Sequence, residues 1–172
     1  MKRLYLLRHA KAVPADPALE DHDRELTVRG MHDAGAMARY MRKNGFIPDL
    51  ILSSSAARTR QTTELVLREI AARTDYRESL YLAEAGKILM LVQAAPQNVA
   101  GAMVVGHNPG LEDLANLLAR EPVRRKERAR RDVLEEKFPT SALAVLDFDV
   151  GKWRDISPGE GELADFVRPK DL

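Results

Sequence analysis

The 172-residue chain carries 27 basic and 26 acidic side chains, so its net charge of +1 gives no global attraction to nucleic acid or to a membrane surface. Its 45% hydrophobic content can fill the core of a single domain, expected over residues 1–172, without a disulfide or a metal to hold it together. The absence of cysteine excludes disulfides, thiolate metal sites and cysteine nucleophiles. The apolar stretch at the N-terminus is too short for a signal peptide, and no segment approaches the length of a membrane span, so a cytoplasmic protein is expected.

Short apolar runs alternate with longer helical patterns, which predicts an α/β fold. Residues 2–8 read as the first strand. Residues 27–44 read as a helix with Met31, Ala34, Ala38 and Met41 on one face, Thr27 as its N-cap and Gly45 as its stop. A buried strand is expected at 49–53, then a helix over 56–73 with Leu65, Val66, Ile70 and Ala71 inward, a strand at 76–81 and a short helix at 86–94. Residues 102–106 form the clearest buried strand. Asn108 then reads as an N-cap and Pro109 as the first residue of a helix running through Leu111, Leu114, Leu117 and Leu118. A last strand is expected at 143–150 with Trp153 on or near its return partner, and the apolar residues of the tail, Leu163, Phe166 and Val167, should pack.

Three polar stretches each follow a predicted strand: Arg8-His9, residues 53–58 ending in Arg58, and Gly106-His107-Asn108-Pro109. In open parallel sheets ligands bind beyond the strand carboxyl ends. The sheet should therefore gather two arginines and two histidines at one edge. Without paired carboxylates these make an anion site, with arginine as the planar clamp for phosphate oxygens and helix N-termini adding N–H donors. Taken singly, each piece has a structural reading: His107 could cap a turn, and Arg58 could lie on an exposed helix face.

Leu6-Leu7-Arg8-His9-Ala10-Lys11-Ala12 resembles the opening motif of the histidine phosphatase superfamily. Residues 53–62 resemble its second motif, Val105-Gly106-His107-Asn108-Pro109 its third, and Leu26-Thr27-Val28-Arg29-Gly30 the start of its first helix. The Arg-His-Ala-Lys variant, the short length and Phe138-Pro139-Thr140-Ser141-Ala142-Leu143 are most similar to the SixA-type phosphohistidine phosphatases. The resemblance implies a three-layer α/β/α sandwich with a mostly parallel central sheet, as in phosphoglycerate mutase, forming one histidine-phosphatase domain. It implies that His9 is the nucleophile, that Arg8 and Arg58 hold the phosphoryl oxygens, and that His107, protonated, donates to the same group. It implies no cofactor and no metal. The implied partner is a phosphorylated substrate, such as a phosphohistidine-bearing signalling protein. The alternatives are a phosphomonoesterase acting on a small metabolite, and a non-catalytic module that binds a phospho-ligand. The sequence gives no oligomeric state.

Ala10 stands where the family commonly has glycine, and Ser55 where it commonly has proline. Glu84 lies in the region that carries a general acid in many members; it reads equally as a solvent-facing residue at a helix start. Asp16, Glu20, Asp21, His22 and Asp23 read as a solvated loop, with substrate gating as the minor alternative. Lys11 either adds charge to the pocket or faces water, and His32 is structural or exposed. Residues 120–137 carry eight basic and five acidic side chains; with Glu121–Arg125 and Glu127–Arg131 at helical spacing, they read as a solvated helix or mobile lid rather than a nucleic-acid patch.

Overall fold

Six strands form one sheet in the computed structural model, which describes all 172 residues. They are β1 (Lys2–Arg8), β2 (Leu50–Ser54), β3 (Arg73–Arg77), β4 (Gly101–Gly106), β5 (Leu143–Phe148) and β6 (Glu162–Val167), in the spatial order β3-β2-β4-β1-β5-β6. β1 to β4 run parallel, and β5 is antiparallel to both of its neighbours. Five helices accompany the sheet: α1 (Val28–Lys43), α2 (Ala57–Leu67), α3 (Ala85–Gln93), α4 (Gly110–Leu118) and α5 (Arg125–Glu136).

Alternation along the strands divides the core into two. Leu4, Leu6, Val104 and Leu146 pack with Ile88 of α3, Leu111 and Leu114 of α4 and Leu134 of α5. Tyr5, Leu7, Met103 and Val105 pack on the other face with Met37 and Met41 of α1 and Val66 of α2. Both faces of the sheet are covered, which explains why the central strands read as continuous apolar runs. The result is the expected three-layer sandwich. No helix is long and apolar enough to cross a membrane.

Two glycines mark close approaches that shape the edge of the sheet. At Gly30 a Cβ would collide with the carbonyl oxygen of Lys11, so α1 begins pressed against the loop that leaves β1. Thr27 fastens this contact: its Oγ1 caps the helix by accepting from the Gly30 amide, and its own amide donates to the Lys11 carbonyl at 2.9 Å. At Gly110 a Cβ would collide with the carbonyl oxygen of Ala83, so residues 81–84 lie beside the first turn of α4.

Several sequence expectations are corrected. α2 stops at Leu67, so Ile70 is buried from the connection that follows and Ala71 is exposed; Met31 is also exposed, 44% of its surface reaching solvent. The third strand lies at Arg73–Arg77 rather than 76–81. It is an edge strand held by backbone pairing to β2, and its Arg-Thr-Asp-Tyr-Arg sequence needs no apolar alternation. Leu80, within the expected strand, is buried from a short 3-10 turn. α4 starts at Gly110, one residue after Pro109, and the Asn108–Pro109 peptide is cis. Residues 120–137 are neither a free lid nor a uniformly solvated helix. Leu134 and Phe138 enter the core, and Glu127 is buried against Arg120 (2.9 Å) while accepting from the Val123 amide. Arg131 pairs with Glu135 rather than Glu127. Trp153 sits in a 3-10 turn between β5 and β6, its indole donating to the Val99 carbonyl at 2.7 Å.

Candidate active site

β2, β4 and β1 are neighbours in the sheet, so their carboxyl ends deliver the three polar stretches to one place. Arg8 pairs with Gly106 in register, and the His9 amide donates to the Gly106 carbonyl at 3.1 Å. The Ser141 amide braces this segment from the other side, donating to the carbonyls of both Arg8 and His9 at 3.1 Å. Ser141 adopts a left-handed backbone (φ 60°), a conformation that a non-glycine residue rarely takes. Ala10 does not share that conformation, so the Cβ it carries in place of glycine is accommodated; its amide donates to Thr62 Oγ1 at 3.0 Å.

The His9 and His107 rings lie 5.3 Å apart between centroids. His9 Nδ1 is 2.7 Å from the Ala10 carbonyl oxygen. A carbonyl only accepts, so Nδ1 carries the proton and Nε2 keeps its lone pair. His107 Nε2 shares a hydrogen bond of 2.7 Å with Ser54 Oγ, and its Nδ1 is buried without a partner. Arg8 donates from Nη1 to the Phe138 carbonyl at 3.0 Å, and its Nε is likewise buried and unpartnered. Arg58 is almost fully buried, and Asp21 answers its charge: Nη1 donates to the Asp21 carbonyl at 2.8 Å and Nη2 to its carboxylate at 3.1 Å. The same carboxylate accepts from Tyr81 and from Arg24. Tyr81 stacks edge-on against both His107 and His22, and His22 Nε2 bonds Ser55 Oγ at 2.8 Å.

Burial is the largest influence on both imidazoles. It pushes His9 down to about 4 and His107 down to about 3, with the neighbouring guanidiniums adding to the shift. His107 is therefore neutral in the free site, contrary to the protonated state the resemblance implied. Asp21 is held well below the usual carboxylate range by its bonds to Tyr81, Arg24 and Arg58, so it stays ionised. A resonance titration of the His9 imidazole is expected to show a midpoint near pH 4; a midpoint near 6.5 would contradict the buried, donor-locked ring. The depressed values also set a pH window for stability. Above about pH 6.5 neither folded nor unfolded histidine binds the proton. As pH falls through 6.5 the unfolded chain takes protons that the folded site refuses, so stability is lost between about 6.5 and 4, where the native ring titrates too.

Four of the five residues expected in the site, Arg8, His9, Arg58 and His107, thus meet in one cluster. Glu84 does not join its hydrogen bonds: it precedes α3 as an exposed residue with no capping contact. Its segment is nonetheless held beside α4 by the Gly110 contact. Asp21, His22, Ser54 and Tyr81 are additions. No three His, Cys, Asp or Glu side chains are grouped so as to hold a metal ion.

A family model described as the histidine phosphatase superfamily (branch 1) matches residues 4–121, more than half of the chain. The chain belongs to this superfamily. Its sequence is 38% identical to an uncharacterized protein of Mycobacterium tuberculosis, Rv1276c, over 164 residues that span 95% of this chain and all of that one. Two solved structures, provisionally named phosphohistidine phosphatase SixA, place this histidine phosphatase in the SixA type. The one from Agrobacterium tumefaciens has a TM-score of 0.80 and 37% identity, covering 98% of both chains. The one from Nakamurella multipartita has a TM-score of 0.84 and 32% identity, covering 98% of this chain and 96% of its own.

Proposed function

We propose that this histidine phosphatase hydrolyses phosphohistidine on a protein, with the whole chain, residues 1–172, acting as one catalytic domain. The observation that supports the reading is a free His9 Nε2 beside the Arg8 and Arg58 guanidiniums, with Asp21, the carboxylate bonded to Arg58, held ionised. Such a site offers a nucleophile and oxyanion donors but no acid for a leaving group.

In the first step His9 Nε2 attacks phosphorus while the P–N bond of the substrate breaks. The substrate imidazole, protonated on its other nitrogen, leaves neutral. His9 keeps its Nδ1 proton on the Ala10 carbonyl and becomes the phosphorylated imidazolium. Water then attacks, the Nε2–P bond breaks, and the phosphoryl group and water depart together as dihydrogen phosphate. Neither step needs a net proton. Arg8 and Arg58 hold the equatorial oxygens. The arriving anion opposes the burial that keeps His107 neutral, so the ring gains donor character with the phosphoryl group in place.

An alkyl phosphate poses a different demand, because an alkoxide leaves poorly unless protonated. A positioned general acid contributes about 10²–10⁴ in rate. Wild type assayed in EDTA should therefore cleave a phosphohistidine protein far better than alkyl phosphates, and Glu84→Gln should change neither rate. Efficient alkyl phosphate hydrolysis, lost on Glu84→Gln, would replace this reading with that of a metabolite phosphomonoesterase. Loss of activity in EDTA with recovery on adding a divalent metal would overturn the metal-free mechanism.

A further inference from the structure

Next to the cluster lies an open trough of about 470 Å³ with no hydrophobic residue in its lining. Its cations are Arg8, Lys11, Arg29, Lys137, Arg168 and Lys170, against a single lining carboxylate, Asp33. Four separate stretches supply them: the exit of β1, the first turn of α1, the connection from α5 to β5, and the turn after β6. Arg29 reaches Asp33 at 4.0 Å and Arg168 is neutralised by Asp171 at 2.9 Å. Lys11, Lys137 and Lys170 are exposed and have no carboxylate partner within ion-pair distance.

The chain as a whole is nearly neutral, so this one-sided field is local. Arg8 is the wall shared with the candidate active site. Its Nη1 is held by the Phe138 carbonyl, while its Nε remains buried and unpartnered. An anion in the trough is therefore within reach of a molecule whose phosphoryl group sits at His9. The lining carries no aromatic side chain on which a base could stack, which disfavours nucleotides. Lysines predominate among the unpaired cations. They are hydrated point charges on flexible stems and suit carboxylates at variable positions better than one fixed bidentate anion.

We propose that the trough docks the acidic side chains that flank the phosphohistidine of a protein substrate. The proposal rests on the phosphohistidine reading above and supplies the charge character of the partner. Electrostatic complementarity of this kind acts on encounter and affinity rather than on the chemical step.

The test uses the intact enzyme and the double variant Lys137→Glu/Lys170→Glu, neither position belonging to the catalytic cluster. Substrates are phosphoramidate, a phosphohistidine protein with an acidic phosphorylated face, and the same protein with those carboxylates converted to amides. The variant should raise KM for the acidic protein roughly tenfold or more, with kcat and phosphoramidate hydrolysis unchanged and a shallower dependence on salt. The amide form should show the raised KM with wild type as well. Titration of the unphosphorylated acidic protein, read as Kd, reports on the trough independently. Weaker binding by the variant supports docking even if wild type hydrolyses none of the substrates, a result that would count only against the proposed reaction. Equal Kd and KM for wild type and variant would overturn the proposal. Inorganic tripolyphosphate that inhibits wild type but not the variant, with protein KM unchanged, would overturn it in favour of a condensed-phosphate site.

Discussion

His9→Ala is expected to abolish turnover while leaving the protein folded. The segment that carries His9 is fixed through its backbone, by Gly106 on one side and Ser141 on the other, and those bonds survive removal of the ring. What disappears is Nε2, and with it the covalent route. Removal of a nucleophile costs at least roughly 10³-fold in kcat even when the rest of the site still binds and polarises the substrate. Rapid quenching of wild type with labelled phosphoramidate should trap an acid-labile, alkali-stable phosphoprotein, absent from the variant. Activity within about tenfold of wild type in a folded variant would remove His9 from the nucleophile role. A wild type that binds phosphate but never becomes labelled would indicate a phospho-ligand module instead.

Arg58→Lys should lower kcat/KM by about 10²–10³, the cost typical of losing one preorganised oxyanion donor. The charge is kept, but a lysine cannot present two parallel N–H groups, and a buried ammonium has to be desolvated more completely than a guanidinium. Arg60 is the control. It lies two residues on, exposed, with Nε donating to the Ser55 carbonyl and its guanidinium 4.2 Å from the Tyr76 ring centroid. Arg60→Lys should leave kcat/KM within about twofold of wild type. Equal losses at the two positions would mean that α2 contacts the phosphoryl group through another face. Circular dichroism of both variants separates these outcomes from unfolding.

The parts of the fold most legible in the sequence are those where one physical signal is enough. β1 and β4 are apolar through their centres, residues 4–7 and 102–105, because helices cover both faces of the sheet, and Thr27 announces α1 because a hydroxyl there caps it. β3 was misplaced because an edge strand is stabilised by backbone pairing, which leaves little trace in side chains. The four cationic and imidazole residues were legible because each closes a motif at a strand end. Asp21 was not: in sequence it is one acid among several in a polar loop. Only the fold singles it out, by burying the Arg58 guanidinium to 4% exposure, where it requires an anion that the acidic loop supplies. Ser55, read as a departure from the family's proline, provides the hydroxyl that holds His22, a contact proline could not make. The α5 region was misread because Glu127 looks like a surface helix residue until Arg120 and the Val123 amide are seen around it.

The carboxylate of Asp21 makes ligand binding at Arg58 an exchange rather than a filling. Before any substrate arrives, the guanidinium already holds an anion tethered to the chain. On the proposed reading a phosphoryl oxygen competes with it for the guanidinium, and Asp21 can yield because Arg24 and Tyr81 continue to hold its charge. The same tether favours departure. When inorganic phosphate leaves, Asp21 returns at an effective concentration that no free anion in solution matches, so Arg58 is never left buried and bare. On that reading a site with this built-in competitor trades some affinity for every oxyanion, substrate and product alike, for faster release of the product.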